Sequence, residues 1–460
     1  MTTPSDLFLS PDLTEEQARA YLESLGFRDA AAVDGHFQRM ADDLVVREAL
    51  GRVAPDLLPA ILESPSPDAA VAAIAHYIAA RSGRAMFLDY LREDPRALHV
   101  LSYVMGASPH LADILVRTPE YFHWLVPQVE RSAPDRQDHE EELVSAFDTV
   151  DDPVEGLNML RRWKRRETLR IGTRDLLRHE TVQTAAVQLS DVAAVAIDFA
   201  LAIVMQQRLN AEGREKPPGT FAVIGMGNVG AREMSYADEV DLLYVYDAPN
   251  TNNTDIPAAR DFFFRVGCDL TAALKDETHE GSLYRVELPR WPQTDGCLKA
   301  CSLAEYTDHY GAADAVAERL ALTRARPIAG DADLGTRFMA SCEPLVYREP
   351  SHEAAAPARD TGDRVGYEIE MLTQAFQMAH GARHAALRHV GTLGALDAIG
   401  KAGLIPEPIC RELDHAYVFL RTAEHRRQLG LADENAQAQV ERSKARVREI
   451  CASIGRLVDW

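Results

Sequence analysis

Apolar positions recur at helical spacing over most of the first 124 residues, as in Val100, Tyr103, Val104, Leu111 and Ile114, the period expected when one face of a helix is buried. Start and stop signals frame these runs. Thr14 with Gln17 makes a capping-box pair, Gly26 a stop, and Ser66-Pro67-Asp68 a cap with proline in the first turn. From Pro127 to Pro153 the periodicity is lost and the chain turns acidic, which predicts a linker. Helical spacing resumes from Gly156 to about Asn210. The longest apolar run, Val192 to Met205, is broken by Asp198 and falls short of the roughly 20 residues a bilayer requires, so a buried helix and no membrane contact are expected.

The pattern then changes. Thr220–Gly225, Val240–Tyr246 and Ser282–Leu288 are short and rich in β-branched or aromatic residues, which predicts three strands. Between the second and third, Asp247–Asp255 reads as a loop and the segment around Phe262-Phe263-Phe264 as a helix. Beyond Gly330, a stretch rich in Pro, Ala and Asp from Glu349 to Asp363 leads into helices, including Glu368–His380 and Ile409–Leu429. The expected fold class is mainly α with a small mixed β-sheet, in three consecutive domains: 1–155 helical, 156–335 around the sheet, and 336–460 a helical bundle.

Composition narrows the function classes. The chain has 460 residues, 46% of them hydrophobic, enough for well-packed cores rather than disorder. Its 49 basic against 71 acidic side chains give a formal charge of −22, which argues against nucleic acid and against an anionic membrane surface. Six scattered cysteines predict reduced thiols, and MTTPSDLFLSPDLTEE lacks the basic-then-apolar pattern of a signal peptide, so a cytoplasmic location is expected.

The chemistry concentrates after the first strand. Gly225-x-Gly227-x-x-Gly230, with Asp247 after the next strand, fits a dinucleotide-binding fingerprint and keeps a dinucleotide-binding oxidoreductase among the alternatives. Only nine residues separate Gly230 from Val240, fewer than a parallel βαβ crossover needs. A second reading takes Gly227-Asn228, ten residues, then Glu239-Val240-Asp241, the layout of a nucleotidyltransferase palm. There a glycine turn lets backbone amides approach a triphosphate, and acids two apart on a strand share a face. Glu239 and Asp241 would then hold a hard divalent cation, Mg²⁺ or Mn²⁺, with Glu287 from the third strand completing the set. The alternative is that Glu239 and Asp241 open an exposed edge strand.

The stretch Val223-Ile-Gly-Met-Gly-Asn-Val-Gly-Ala-Arg-Glu-Met-Ser-Tyr-Ala-Asp-Glu-Val-Asp-Leu-Leu-Tyr-Val-Tyr246 resembles the signature of the glutamine synthetase adenylyltransferase/adenylyl-tyrosine phosphorylase family. Segments 106–122, 160–177, 324–331 and 419–428 resemble family segments in the same order. The resemblance runs from about residue 20 to 430, one half's length of a two-half enzyme, and is closer to the amino-terminal half. It implies a nucleotidyltransferase (polymerase-β-like) palm flanked by helical domains, and removal by phosphorolysis, or transfer, of AMP on a tyrosine of glutamine synthetase. It further implies Mg²⁺ held by Glu239, Asp241 and Glu287, an adenine nucleotide held at Gly225, Gly227, Asn228 and Gly230, and glutamine synthetase or a PII-type signalling protein as partners.

This chain departs from the family pattern at several positions. Asn228-Val229-Gly230-Ala231 stands for Lys-Leu-Gly-Gly, Glu239 for the first Asp of Ser-Asp-x-Asp, and Glu287 for a third Asp, while Pro289 and Trp291 replace arginines. A thinner phosphate-binding shell follows, and with it the alternative of a catalytically weakened nucleotide-sensing or protein-binding module. Elsewhere, Arg162, Arg166, Arg170, Arg174 and Arg178 recur every fourth position, a stripe expected to be a solvated face paired with Glu167 and Asp175. Glu368 and Glu370 cannot share a helix face, and family position favours Glu370 as the one directed at a site.

Overall fold

In a computed structural model the described residues are 2–248, 255–287, 293–294, 297–312, 315–347, 366–431 and 434–457. The expectations for Pro289 and Trp291, for most of the loop 247–255 and for 349–363 lie outside them. The chain divides into two compact units. One comprises residues 1–133, 165–181 and 426–433, and the other residues 134–164, 182–425 and 434–460. This division does not coincide with the three consecutive domains expected above, because the helix Pro153–Leu176 changes unit at Arg165 and the sheet and C-terminal helices fall in one unit.

In the first unit the cap signals act largely as the sequence implies. Thr14 and Gln17 form the reciprocal capping box of Glu15–Leu25, and Gly26 ends that helix at φ 103°. Ser66 precedes Pro67–Ala79 without a capping bond from its side chain, and Asp68 instead accepts from the backbone N–H groups of Arg28 and Asp29. The arginine stripe differs from expectation. Arg170 and Glu167 are both almost fully buried and joined at 2.7 Å, and Arg174 donates to the carbonyls of Gln128, Val129 and Arg131. A cation thus satisfies the orphan carbonyls at the end of Tyr121–Glu130, as suits the negative end of a helix dipole.

In the second unit the expected linker is mostly a helix, Arg136–Phe147, started by a capping box between Asp135 and Asp138 and buried through His139 and Leu143. Its acidic composition belongs to the outer face. The apolar helix Val182–Glu212 is long and apolar enough, by length and composition, to cross a membrane, yet 72% of its most apolar window is buried in the protein. Asp198, which breaks the apolar run, accepts from Gly330 N at 2.8 Å.

The strands are β1 (Thr220–Met226), β2 (Val240–Asp247), β3 (Val286–Glu287), β4 (Gln293–Thr294), β5 (Cys297–Leu298), β6 (Cys301–Ser302) and β7 (Arg326–Gly330). β3-β2-β1-β7 form a mixed sheet in that order, with β6 also paired to β2, and β4 pairs with β5 separately. β1 runs antiparallel to both β2 and β7, whereas β2 runs parallel to β3 and β6. The antiparallel β1–β2 pair overturns the dinucleotide alternative, which needs a parallel βαβ unit; the link carries only the five-residue helix Gly227–Ala231. The third strand is two residues long rather than seven. β7 was not expected, because Pro327 interrupts its pattern, and the register shifts opposite Val223/Ile224.

One face of the sheet packs on Tyr306, Phe338 and Val346, and Ile369, Phe376, Leu413 and Val447 form the centre of a separate cluster among the C-terminal helices. Cys268 is disulfide-bonded, a correction to the expectation of reduced thiols throughout, while Cys301, Cys342, Cys410 and Cys451 are free.

Candidate functional site

A pocket of about 340 Å³ lies within the second unit, floored by β2 and β3 and walled by the helix Tyr367–His380 and the turn at Leu320–Arg324. Asp241 and Glu287 are register partners across the parallel β2–β3 pair and both line the pocket, Asp241 half-buried and Glu287 exposed. Opposite them stand Tyr367, Glu370 and Gln374.

Gly227 makes the approach of Asp241 feasible. Its φ is +51°, and a Cβ built there would lie 2.1 Å from Asp241 Oδ2, so a carboxylate occupies the space a side chain would fill. Gly230 is needed for a different reason, since a Cβ would fall 2.0 Å from the Arg324 carbonyl and 2.4 Å from that of Gly225. Gly225 itself sits inside β1 against Ile328. Of the four expected nucleotide-contacting residues, Gly227 lines the pocket; Gly225, Asn228 and Gly230 are spent on the strand and turn that shape it.

Glu239 lies apart from the other two expected metal ligands. It precedes β2, is 41% exposed, and pairs with Arg285 at 3.4 Å. Its neighbour Asp238 is drawn inward, accepting from Asn228 Nδ2 at 2.8 Å and from both the N–H and hydroxyl of Ser235. Burial alone would raise the Asp238 pKa, but the Arg421 guanidinium and these hydrogen bonds outweigh it and hold the carboxyl below its ordinary value.

A buried polar network that no local motif announces joins the pocket to the C-terminal helices. Arg324, 4% exposed, donates to Asn228 Oδ1 at 3.0 Å, Glu233 Oε2 at 2.7 Å, Thr392 Oγ1 at 2.8 Å and, at 3.4 Å, the Gly227 carbonyl. It also lies 3.6 Å from Glu370. Burial works against its charge, yet Glu370 and Glu233 more than compensate and raise its pKa above the usual arginine value. Glu233 further accepts from the Thr392 N–H and the Tyr417 hydroxyl, and Arg421 donates to its carbonyl. Sequence reasoning assigned no role to Glu233, Arg324, Tyr417 or Arg421. Three of the four stand in segments that carry the family resemblance, which is the signal available in advance. Glu370 is 3% exposed and faces the pocket, whereas Glu368 points out to Arg448, so only one of that pair reaches the site.

The oxygens of Asp241 and Glu287 are hard donors on adjacent strands, the chemistry that suits a divalent cation of the Mg²⁺ or Mn²⁺ type. The protein is thus a mainly helical one with an acidic pocket on a small mixed sheet. The chain belongs to the glutamate-ammonia ligase adenylyltransferase family, whose model matches residues 98–341, just over half of its length. Residues 367–456, which begin at the pocket wall, match a second model, GlnD PII-uridylyltransferase.

Among similar proteins are bifunctional glutamine synthetase adenylyltransferase/adenylyl-removing enzymes. That of Aromatoleum aromaticum is 27% identical over 88% of this chain and 45% of its own length. The Mycobacterium leprae enzyme is 28% identical over 88% and 42%, and the Thioalkalivibrio sulfidiphilus enzyme 27% over 92% and 48%. The chain therefore spans a little under half the length of these relatives.

Proposed function

We propose that this chain is a Mg²⁺-dependent nucleotidyltransferase-type protein that removes AMP from, or transfers it to, a tyrosine of glutamine synthetase. The observation that carries the reading is the in-register pair Asp241 and Glu287 at the floor of a pocket that Gly227 leaves open, in a chain of the adenylyltransferase family. Asp241 and Glu287 would hold the cation, and Glu239, just ahead of β2, would complete the set only by leaving Arg285. A bound Mg²⁺ supplies charge neutralisation at a phosphate. The protein's own part is to orient the adenylyl group between the acidic floor and the wall of Tyr367, Glu370 and Met371, and to keep the strand pair rigid through the Gly227 turn. Removal by phosphorolysis is the direction the amino-terminal-half resemblance favours.

A PII-type protein is the proposed signalling partner, supported by the GlnD PII-uridylyltransferase match at 367–456. Incubating the purified chain with adenylylated glutamine synthetase, phosphate and Mg²⁺ is expected to release ADP. No ADP, beside an active family member as control, overturns the catalytic reading. A second reading, a nucleotide-sensing or protein-binding module without turnover, is favoured by Glu239 pairing with Arg285 outside the pocket. It predicts nucleotide-dependent thermal stabilisation with no product in either direction.

A further inference from the structure

Arg324 stands where three parts of the second unit meet. Its guanidinium reaches forward to the Gly227 carbonyl and Asn228 Oδ1, on the turn above which Asp241 Oδ2 sits. It also donates to Glu233 and Thr392 and lies beside Glu370. Nη2 donates to both Asn228 and Glu233, Nε to the Gly227 carbonyl and Nη1 to Thr392, so one guanidinium ties the turn to Glu233 and to Thr392 together. A planar fork of five N–H donors can serve all of these acceptors at once, while a lysine ammonium, with three donors on a flexible stem, cannot reproduce that geometry.

The turn so held is the one whose missing Cβ leaves room for Asp241. A shift of Gly227 toward Asp241 would push the carboxylate out of register with Glu287, its partner across the parallel strands. Orientation of ligating carboxylates by outer groups is how protein sites tune metal affinity.

We propose that Arg324 is a positioning residue: its guanidinium fork locks the Gly227–Asn228 turn beneath Asp241 and thereby sets the orientation in which Asp241 and Glu287 are presented to a divalent cation. This rests on the reading of the pocket as a cation site. It assigns the charge pairs around Arg324 a use beyond mutual neutralisation, since Glu233 and Glu370 hold the fork in place while the fork holds the turn.

The test is Mn²⁺ binding, followed by the electron paramagnetic resonance signal of the free ion, on the full chain without nucleotide. Wild type, Arg324→Lys and Arg324→Gln are compared, with circular dichroism reporting the fold. Arg324→Lys keeps a positive charge between Glu233 and Glu370, so a role confined to neutralising them predicts wild-type Mn²⁺ affinity. The positioning role predicts that folded Arg324→Lys binds Mn²⁺ about tenfold more weakly, or worse, the scale on which losing an outer-sphere partner acts. Should both Arg324 variants fail to fold, Asn228→Ala removes an acceptor at the turn end of the same fork, and a several-fold weakening is expected there too. Wild-type affinity in the folded variant that carries the test overturns the proposal alone. A wild-type chain that binds no Mn²⁺ overturns the cation reading and the proposal with it.

Discussion

The Tyr417 hydroxyl lies 2.9 Å from Glu233 and 3.2 Å from Glu370, and its single proton can serve only one of the two carboxylates at a time. Full burial pushes the phenol's pKa well above the ordinary value, and the two adjacent acids push it in the same direction, so it remains a donor at every working pH. Tyr417→Phe deletes that donor and leaves carboxylate oxygens short of a partner in the interior. The expected cost is about 1–3 kcal/mol, read as a lower denaturation midpoint at unchanged urea dependence. A midpoint equal to wild type would contradict the accounting.

Substituting the two glycines separates space from function. In Gly230→Ala the new methyl meets backbone carbonyls that cannot swing away, so a loss of about 1–3 kcal/mol is expected from overpacking. In Gly227→Ala the obstacle is the tip of Asp241, which can rotate, although positive φ still carries a strain of about 1–2 kcal/mol. Calorimetry with and without Mg²⁺ checks both: Gly227→Ala loses the Mg²⁺-dependent shift in melting temperature, and Gly230→Ala keeps it if the variant folds.

Asp241→Asn removes one of two carboxylates held in register on the neighbouring strands β2 and β3. The cation-free protein is expected to be unchanged or slightly more stable, within about 0.5 kcal/mol, while stabilisation by Mg²⁺ disappears. Thermal melts in chelator and in excess Mg²⁺ read both effects. A large destabilisation in chelator would mean that Asp241 serves the fold rather than a cation.

Acid stability should depend on Asp238. Its folded-state pKa lies below the ordinary carboxyl value, so on acidification the unfolded chain takes up the proton first. The stabilisation is complete above about pH 4 and is lost as pH falls through the depressed folded-state pKa. Asp238→Asn should therefore lower stability at neutral pH and flatten its fall on acidification. Equal slopes for the two proteins in urea titrations between pH 5 and 3 would refute this, the stated range being about that of ordinary carboxyl titration.

What was legible in the sequence follows from the range of the forces involved. β1 and β2 are nearly continuous runs of buried residues, and their identity could be read locally. β7 could not, because Pro327 and Gly330 spoil a strand pattern at a position set by tertiary packing. The helix Arg136–Phe147 was hidden by its charge, since the acids that suggested a linker line its outer face. Strand period and neighbouring strands were enough to expect Asp241 and Glu287 together, and the two do line one pocket. The same period argument was extended to Glu239, but it holds only inside a strand, and β2 begins at Val240. Arg324 and Glu233 are 91 positions apart, and Tyr417 and Glu233 184, distances at which no spacing rule operates.

Pro327 has one more effect. β7 is the end strand of its sheet, and helices Val182–Glu212 and Ala332–Val346 pack against it. A proline offers no N–H to an incoming strand, and the register shift opposite Val223/Ile224 disturbs the flat ladder that an added strand would need. The irregularity that concealed β7 from pattern reading thus also makes this margin a poor template for self-association, a safeguard against edge-to-edge aggregation written into the same five residues.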